Sequence, residues 1–183
     1  MGAFTRFELT GAGTVEITVD PGRADGLLTV SGDDNLLPLV ETKVVDGRLR
    51  IRPTRSIRPD LPLRFRAVVS SLEGLELQGA GRIRVNGIAA GIFRLDLSGA
   101  GSVHLEGEAE NLEAGVSGAV SLDAAGLRTS SATIRLSGAG KAEVHASEKL
   151  HAEVSGVGTI TCHGKPGKVD QSVSGVGTVR VVD

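Results

Sequence analysis

The stretch that decides the fold is LQGAGRIRV, residues 77–85, in which a Gly-Ala-Gly triplet stands between apolar residues. The same pattern of apolar residue, polar residue, Gly-x-Gly and alternating apolar residues returns at 9–17, 97–105, 116–124, 136–144, 154–162 and 173–181, with Val120 in place of one second glycine. In the contiguous block the first glycines are Gly79, Gly99, Gly118, Gly138, Gly156 and Gly175, which gives spacings of 20, 19, 20, 18 and 19 residues. A fixed period of this length is typical of architectures in which each repeat stacks on the next.

Each repeat reads as short half-buried strands joined at a tight corner. Phe93, Leu95 and Leu97 alternate with polar residues, the period of a β-strand with one buried face. Glycine suits the corner because it reaches backbone angles closed to residues with a Cβ. After the second strand comes a polar stretch, and the next strand is preceded by an apolar residue: Ile88, Leu112, Leu127, Leu150 or Val169. We therefore predict an all-β, parallel β-helix-like solenoid of coils of about 19 residues. A β-sandwich is the alternative, since it also has short, regularly spaced strands.

Residues 27–70 interrupt the repeat. Asp46-Gly47 stands between the alternating segments around Val44 and Leu49, which is the strongest short-range signal for a β-hairpin. A proline-containing basic loop with Arg52, Arg55 and Arg58 follows. We expect a single domain over residues 4–183, in which 27–70 form an antiparallel insertion that caps the N-terminal end and 75–183 form the regular coils.

Composition restricts the classes of function. The chain of 183 residues has 26 glycines, neither Trp nor Tyr, and a formal net charge of −2, so its overall charge does not favour nucleic acid or an anionic membrane. Cys162 is the single cysteine and forms no internal disulfide. No apolar run has the length of a membrane span, and no signal peptide is visible. Two interpretations stay open, a cytoplasmic protein or a mature segment without its export signal, and the patterned strand directly after Met1-Gly2 favours the second.

The repeated LSGAG and VSGVG motifs, together with SGDDNLLPLVETKVVDGRLRI at residues 31–51, resemble a bacterial family called the putative auto-transporter adhesin, head GIN domain. The resemblance runs from about Phe4 to Val182, and the chain departs from the pattern at Val120 and Gln171. It implies an exported protein with a parallel β-helix-like fold. It implies no catalytic residues, because the family has none established to carry over.

Stacking would turn each position of the motif into a column of side chains. One outward column reads Arg84, His104, Asp123, Glu143, Thr161, Arg180, and its neighbour reads Glu76, Asp96, Gly115, Arg135, Glu153, Ser172. Asp96, Asp123 and Glu143 are the candidate acids for a carbohydrate-cleaving face. Against cleavage, the turns are too short to wall a cleft and stacking aromatics are missing. The residues before the first glycine are mostly serines, and we expect their hydroxyls to satisfy backbone groups at the corner rather than to act as nucleophiles.

Metal binding has weak support in the sequence. Cys162 and the four histidines, His104, His145, His151 and His163, lack the spacing of metal ligands, and Cys162 occupies an inward position. Asp33 and Asp34 could ligate calcium, but an Asp-rich turn is the commoner meaning of such a segment. We therefore expect no catalytic residue, no cofactor and no metal site.

The sequence favours a non-enzymatic structural or interaction domain of the bacterial cell envelope, such as an adhesin-like domain. We expect a periplasmic, outer-membrane-associated or secreted location, and a protein or glycan partner that the sequence does not identify. The alternative is a carbohydrate-binding or carbohydrate-cleaving protein with an acidic face. The apolar end of the last coil, residues 173–181, also suggests self-association through an end of the solenoid.

Overall fold

The computed structural model describes residues 4–23, 26–55 and 63–182. Its strands are β1 (Arg6–Val19), β2 (Leu27–Ser31), β3 (Val40–Val45), β4 (Arg48–Pro53), β5 (Arg64–Val69), β6 (Gly74–Ala124), β7 (Leu127–His145), β8 (Lys149–His163) and β9 (Lys168–Val182). One turn of 3-10 helix, Leu37–Leu39, precedes β3. The predicted all-β class is confirmed. In the described ranges, no helix has the length and apolar character needed to cross a membrane.

The strands form one long, open and mostly parallel sheet. Its order is β2-β5-β1-β6-β7-β8-β9, with β4 also beside β1 and β3 beside β4. The repeats pair in register, so Gly138 lies opposite Gly118 and Gly156, and Gly175 lies opposite Gly156. β6 alone contains the corner glycines of three successive repeats. The parallel pairing of these repeats is unlike the antiparallel sheets of a β-sandwich.

The core is a continuous layer of apolar, mostly aliphatic side chains from the alternating positions. Phe7, Phe65 and Phe93 are its largest fully buried members. Cys162 and Val120 are buried as well, so valine replaces the second glycine by turning inward. Gln171, where the repeat calls for an apolar residue, pairs with buried Ala152 but is itself exposed, because β9 ends the sheet order.

The corner glycines differ between the two positions of the motif. The first glycine has a positive φ in all seven copies, whereas among the second glycines only Gly101 does. Gly138, at φ +113°, shows a further constraint: a Cβ there would lie 2.7 Å from the carbonyl oxygen of Gly118 on the neighbouring repeat. Glycine is therefore required at this corner both by the backbone angle and by the close approach of the stacked backbone.

The predicted hairpin at Asp46-Gly47 is confirmed. β3 and β4 pair antiparallel, with Val45 opposite Arg48, and both turn residues have positive φ (50° and 69°), as a type I′ turn requires. Beyond the hairpin, β4 pairs with residues 6–9 of β1, and β5 pairs with residues 14–19. Strands β4 and β5 thus lie along the edge of β1 opposite β6. Arg58 of the predicted basic loop lies outside the described residues.

The apolar residues that precede the next strand do not all occupy equivalent positions. Leu127 does not align with Leu112 and Leu150; it pairs with Gly107, and Ala132 takes the equivalent position between Leu112 and Leu150. The segment around Leu127 forms a further strand face, with Arg128 and Thr129 opposite Glu108 and Ala109. Leu127 therefore lies on a different strand face from Leu112 and Leu150, although each of them follows a polar stretch.

Candidate functional site

The predicted outward column is present after the glycine corner. Asp123, Glu143, Thr161 and Arg180 are successive partners in the parallel register. His104 Nδ1 lies 2.9 Å from Asp123 Oδ2 and its Nε2 lies 2.7 Å from Glu106 Oε1. Within the column, the contact between His104 and Asp123 therefore connects two neighbouring repeats.

The structure brings together two of the three candidate acids. Asp123 and Glu143 lie opposite each other on adjacent repeats. Asp96 precedes the corner glycine of its repeat and lines a different groove, beside Glu76, Gly115 and Arg135. The three carboxylates thus do not share one site.

Hydrogen bonds and charge argue against acid catalysis at Glu143. Hydrogen bonds from Lys141 and His163 hold the pKa of the Glu143 carboxyl below its usual value. His163 Nε2 lies 3.3 Å from Glu143 Oε2. A general acid in glycoside cleavage needs a raised pKa, so this carboxylate is tuned in the wrong direction for that role.

The remaining predicted polar residues serve local structure. Ser98 Oγ donates to the carbonyl of Leu77 at 3.3 Å, and Ser117 Oγ donates to that of Leu97 at 3.2 Å. At these two corners the hydroxyls satisfy backbone groups as predicted. The Asp33 carbonyl accepts a hydrogen bond from Leu36 N at 2.8 Å, which closes the predicted turn.

In the described ranges, no group of three or more His, Cys, Asp or Glu side chains is arranged so that it could hold a metal ion. Burial raises the pKa of the Cys162 thiol, which makes it a poor nucleophile. His151 pairs with Glu153 at 3.1 Å and with Asp170 at 3.3 Å. His145 differs from the other three histidines: its Nδ1 is buried and, within the part of the chain that the structure describes, has no hydrogen-bond partner.

A groove of about 600 Å³ lies over β5, β1 and β6 on the face after the corner. We call it the arginine groove, because Arg64, Arg66, Arg82 and Arg84 line it. Thr14 of β1 pairs with Arg64 on one side and Arg82 on the other. Glu16, two residues on, lies between Arg66 and Arg84 in the same way. Two arginines from each neighbouring strand thus flank the outward positions of β1.

Sequence reasoning missed this groove because it assigned β5 only to an insertion. A signal was nevertheless present. The segments Arg64-Phe65-Arg66 and Arg82-Ile83-Arg84 share an arginine–apolar–arginine pattern that turns both arginines to one face of a strand. The pattern does not, however, predict that both segments pair with β1.

A second open groove, of about 530 Å³, lies over the segments that precede and follow Leu127. Its lining includes Glu108, Glu110, Arg128 and His145. Glu108 and Arg128 approach to 3.8 Å across it and are both largely exposed. Its lining thus holds two glutamates and one arginine, in contrast to the arginine groove.

Comparison with known proteins gives a family and a shared fold. The family described as "Putative auto-transporter adhesin, head GIN domain" matches residues 3–166. A structure named a putative adhesin from Bacteroides fragilis is 22% identical, with a TM-score of 0.81 over 99% of this chain and 93% of the other. None of the proteins with curated descriptions matches the chain.

Two structures from Parabacteroides distasonis are equally similar to this chain in overall fold. One is named a putative adhesin (21% identity, TM-score 0.54) and the other a putative lipid binding protein (19% identity, TM-score 0.54). Each comparison covers 100% of this chain and 94% of the other. At these identities the similarity concerns the fold alone.

Proposed function

This chain belongs to the family described as putative auto-transporter adhesin, head GIN domain, and we propose that it is a non-enzymatic interaction domain of the bacterial cell envelope. The family name and the adhesin-like names of the structural relatives support an extracellular or envelope location. Within that range, we propose a periplasmic, outer-membrane-associated or secreted location.

We also propose that the repeats wind as a β-solenoid, in one domain over residues 4–183. Straight, the 51 residues of β6 would extend about 170 Å. Yet Gly99 stacks on Gly79, since a Cβ on Gly99 would overlap the Gly79 carbonyl oxygen. After 20 residues, the chain therefore returns to the equivalent position of the neighbouring repeat. In this winding the segment 27–70 caps the first coil through the pairing of β4 and β5 with β1.

The observation that carries the function is the ladder of outward side chains on a continuous core. Residues of the same column on successive repeats come from a parallel, in-register pairing. Such a surface presents regularly spaced charges at about 4.8 Å per strand and suits recognition of an extended partner. Open grooves rather than a walled cleft accompany it, which fits binding better than turnover.

The alternative is a carbohydrate-cleaving protein that uses the acidic part of the column. The observation in its favour is the direct opposition of Asp123 and Glu143. Against it stand the lowered pKa of Glu143 and the engagement of Asp123 by His104. Binding of a carbohydrate without cleavage remains compatible with the proposed function.

A glycan array combined with a reducing-sugar assay tests the proposal. We expect retention of glycans without release of new reducing ends. Asp123→Asn and Glu143→Gln provide the control variants. Turnover that depends on either carboxylate would establish the enzymatic alternative and overturn the proposed function.

Self-association through the last repeat is a further part of the proposal. β9 lies at an end of the sheet order and pairs with β8. Val173 and Val181, whose partners on β8 are buried, are 43% and 44% exposed. A strand edge with apolar side chains is a template for pairing with a second copy.

A further inference from the structure

We propose that the arginine groove binds an acidic oligosaccharide, with the guanidinium groups of Arg64, Arg82 and Arg84 receiving its carboxylate or sulfate groups. This inference rests on the proposed function, because it names the ligand class of a non-enzymatic binding surface. It places that surface over the insertion strand β5 and the first repeats.

Three of the four arginines of the groove lack an acidic partner of the kind that several other arginines of the molecule have. Arg48 contacts Glu8 and Glu76, and Arg94 contacts Glu113, all within 3.2 Å. In the groove, Glu16 binds Arg66 at 2.9 Å. Arg64, Arg82 and Arg84 have no ion pair among the described residues and are exposed.

Charge complementarity therefore calls for an anionic partner. Four arginines line the groove with one glutamate between them, and the other acid of the lining, Asp123, is engaged by His104. The whole chain carries a net charge of −2, so the positive charge is local to this surface. Guanidinium groups bind carboxylates and similar oxyanions with paired, charge-assisted hydrogen bonds.

The spread of the charges favours a ligand with several anionic groups. Arg64 and Arg82 lie on opposite sides of Thr14, so their backbones are about 10 Å apart, two inter-strand spacings. Arg82 and Arg84 are two residues apart on one strand, about 7 Å. A single small anion would occupy a fraction of a groove of about 600 Å³.

The other outward residues of the groove favour a sugar over a membrane surface. Thr14, Ser102 and Ser121 contribute hydroxyl groups that can exchange hydrogen bonds with sugar hydroxyls. The apolar members of the lining, among them Val15 and Ile83, are fully buried in the core. The groove therefore offers no apolar side chain to insert into lipid. The absence of Trp and Tyr also leaves charge, rather than ring stacking, as the means of recognition.

Titration calorimetry with a defined oligogalacturonate tests this inference, with a fully methyl-esterified oligomer of the same length as the uncharged control. We expect the acidic oligomer to bind and the esterified one to bind at least about tenfold more weakly. Raising the salt from about 50 to about 200 mM should weaken binding, since the contacts are ionic.

The variant Arg82→Ser/Arg84→Ser should lose at least about tenfold in affinity. The matched control is Arg128→Ser/Arg135→Ser, which changes the net charge equally but lies outside the groove; it should retain affinity within about twofold. Circular dichroism and the melting temperature establish that both variants fold.

The inference would be overturned by no binding of the acidic oligomer at low salt, by an equal loss in both double variants, or by arginine-dependent binding of phosphatidylglycerol vesicles without binding of the oligomer. Retention of neutral glycans alone on the array would overturn it and leave the proposed function standing. Cleavage of the oligomer would instead overturn the proposed function.

Discussion

His104 Nδ1 lies 2.9 Å from Asp123 Oδ2, which joins two successive repeats on the face after the corner. Glu106 hydrogen-bonds the other ring nitrogen, and this bond, with that of Asp123, raises the pKa of His104 despite partial burial. The imidazolium thus connects two carboxylates on the surface of the sheet, so the interaction depends on pH.

We expect this pair to stabilise the fold in mild acid. A raised folded pKa adds stability that is fully present below the unfolded value of about 6.5 and is lost as pH rises through the folded pKa. His104→Gln should therefore lower the melting temperature more at pH about 5.5 than at pH about 8, by about 1–3 °C for a partly exposed pair. Thermal melts of both proteins at the two pH values measure this, and an identical difference at both would contradict it.

Alanine substitutions at three glycines should distinguish the cost of backbone strain from the cost of a steric clash. Gly91→Ala should be near neutral, because φ is not left-handed and nothing lies within 4 Å of the added Cβ. Gly47→Ala has the same open space but a φ of +69°, and should cost about 1 kcal/mol. Gly138→Ala adds the 2.7 Å approach to the Gly118 oxygen and should cost more than about 2 kcal/mol. Denaturant unfolding ranks the three, and equal losses for Gly47 and Gly138 would show that strain alone matters.

The hydroxyl of Thr129 is expected to stabilise the fold through a buried hydrogen bond. Thr129 is 3% exposed, and its Oγ1 donates to the carbonyl oxygen of His145. Thr129→Val keeps the shape and removes the donor, so we expect a loss of about 1–2 kcal/mol in the free energy of unfolding. Thr133→Val, on the same strand and less buried, is the control and should change it by less than about 0.5 kcal/mol. An equal loss of stability in both variants would show that this hydrogen bond does not stabilise the fold.

Folding should need no metal ion. Asp33 already closes its turn through the backbone bond from Leu36, and the core is built from aliphatic side chains. Dialysis against EDTA should leave the melting temperature unchanged. A fall of several degrees that calcium restores would point first to Asp33 and Asp34.

The last repeat should mediate association of two copies. Val181→Lys places a charge on the exposed apolar layer of β9, and light scattering should show an oligomer of the wild-type protein converted to a monomer. Val157→Lys is the control, because Val157 is 60% exposed but its strand, β8, is paired with both β7 and β9. A wild-type monomer at high concentration, or equal dissociation by both variants, rules out this interface.

The sequence by itself determined the strand periodicity, the corners and the hairpin, because each follows from local chemistry. Alternation predicts which side chains turn inward, and the positive φ of Gly138 and of Asp46-Gly47 belongs to residue types that tolerate it. The inward position of Cys162 followed from the same period.

Only the tertiary structure decided which side chains meet across strands. Leu127 pairs with Gly107, whereas Ala132 lies opposite Leu112, although Leu112 and Leu127 both precede the next strand. Arg64 and Arg82 became neighbours of one threonine because β5 pairs with β1 on the edge opposite β6. Such pairing reflects hydrogen bonding and burial summed over whole strands, which no short segment of sequence contains.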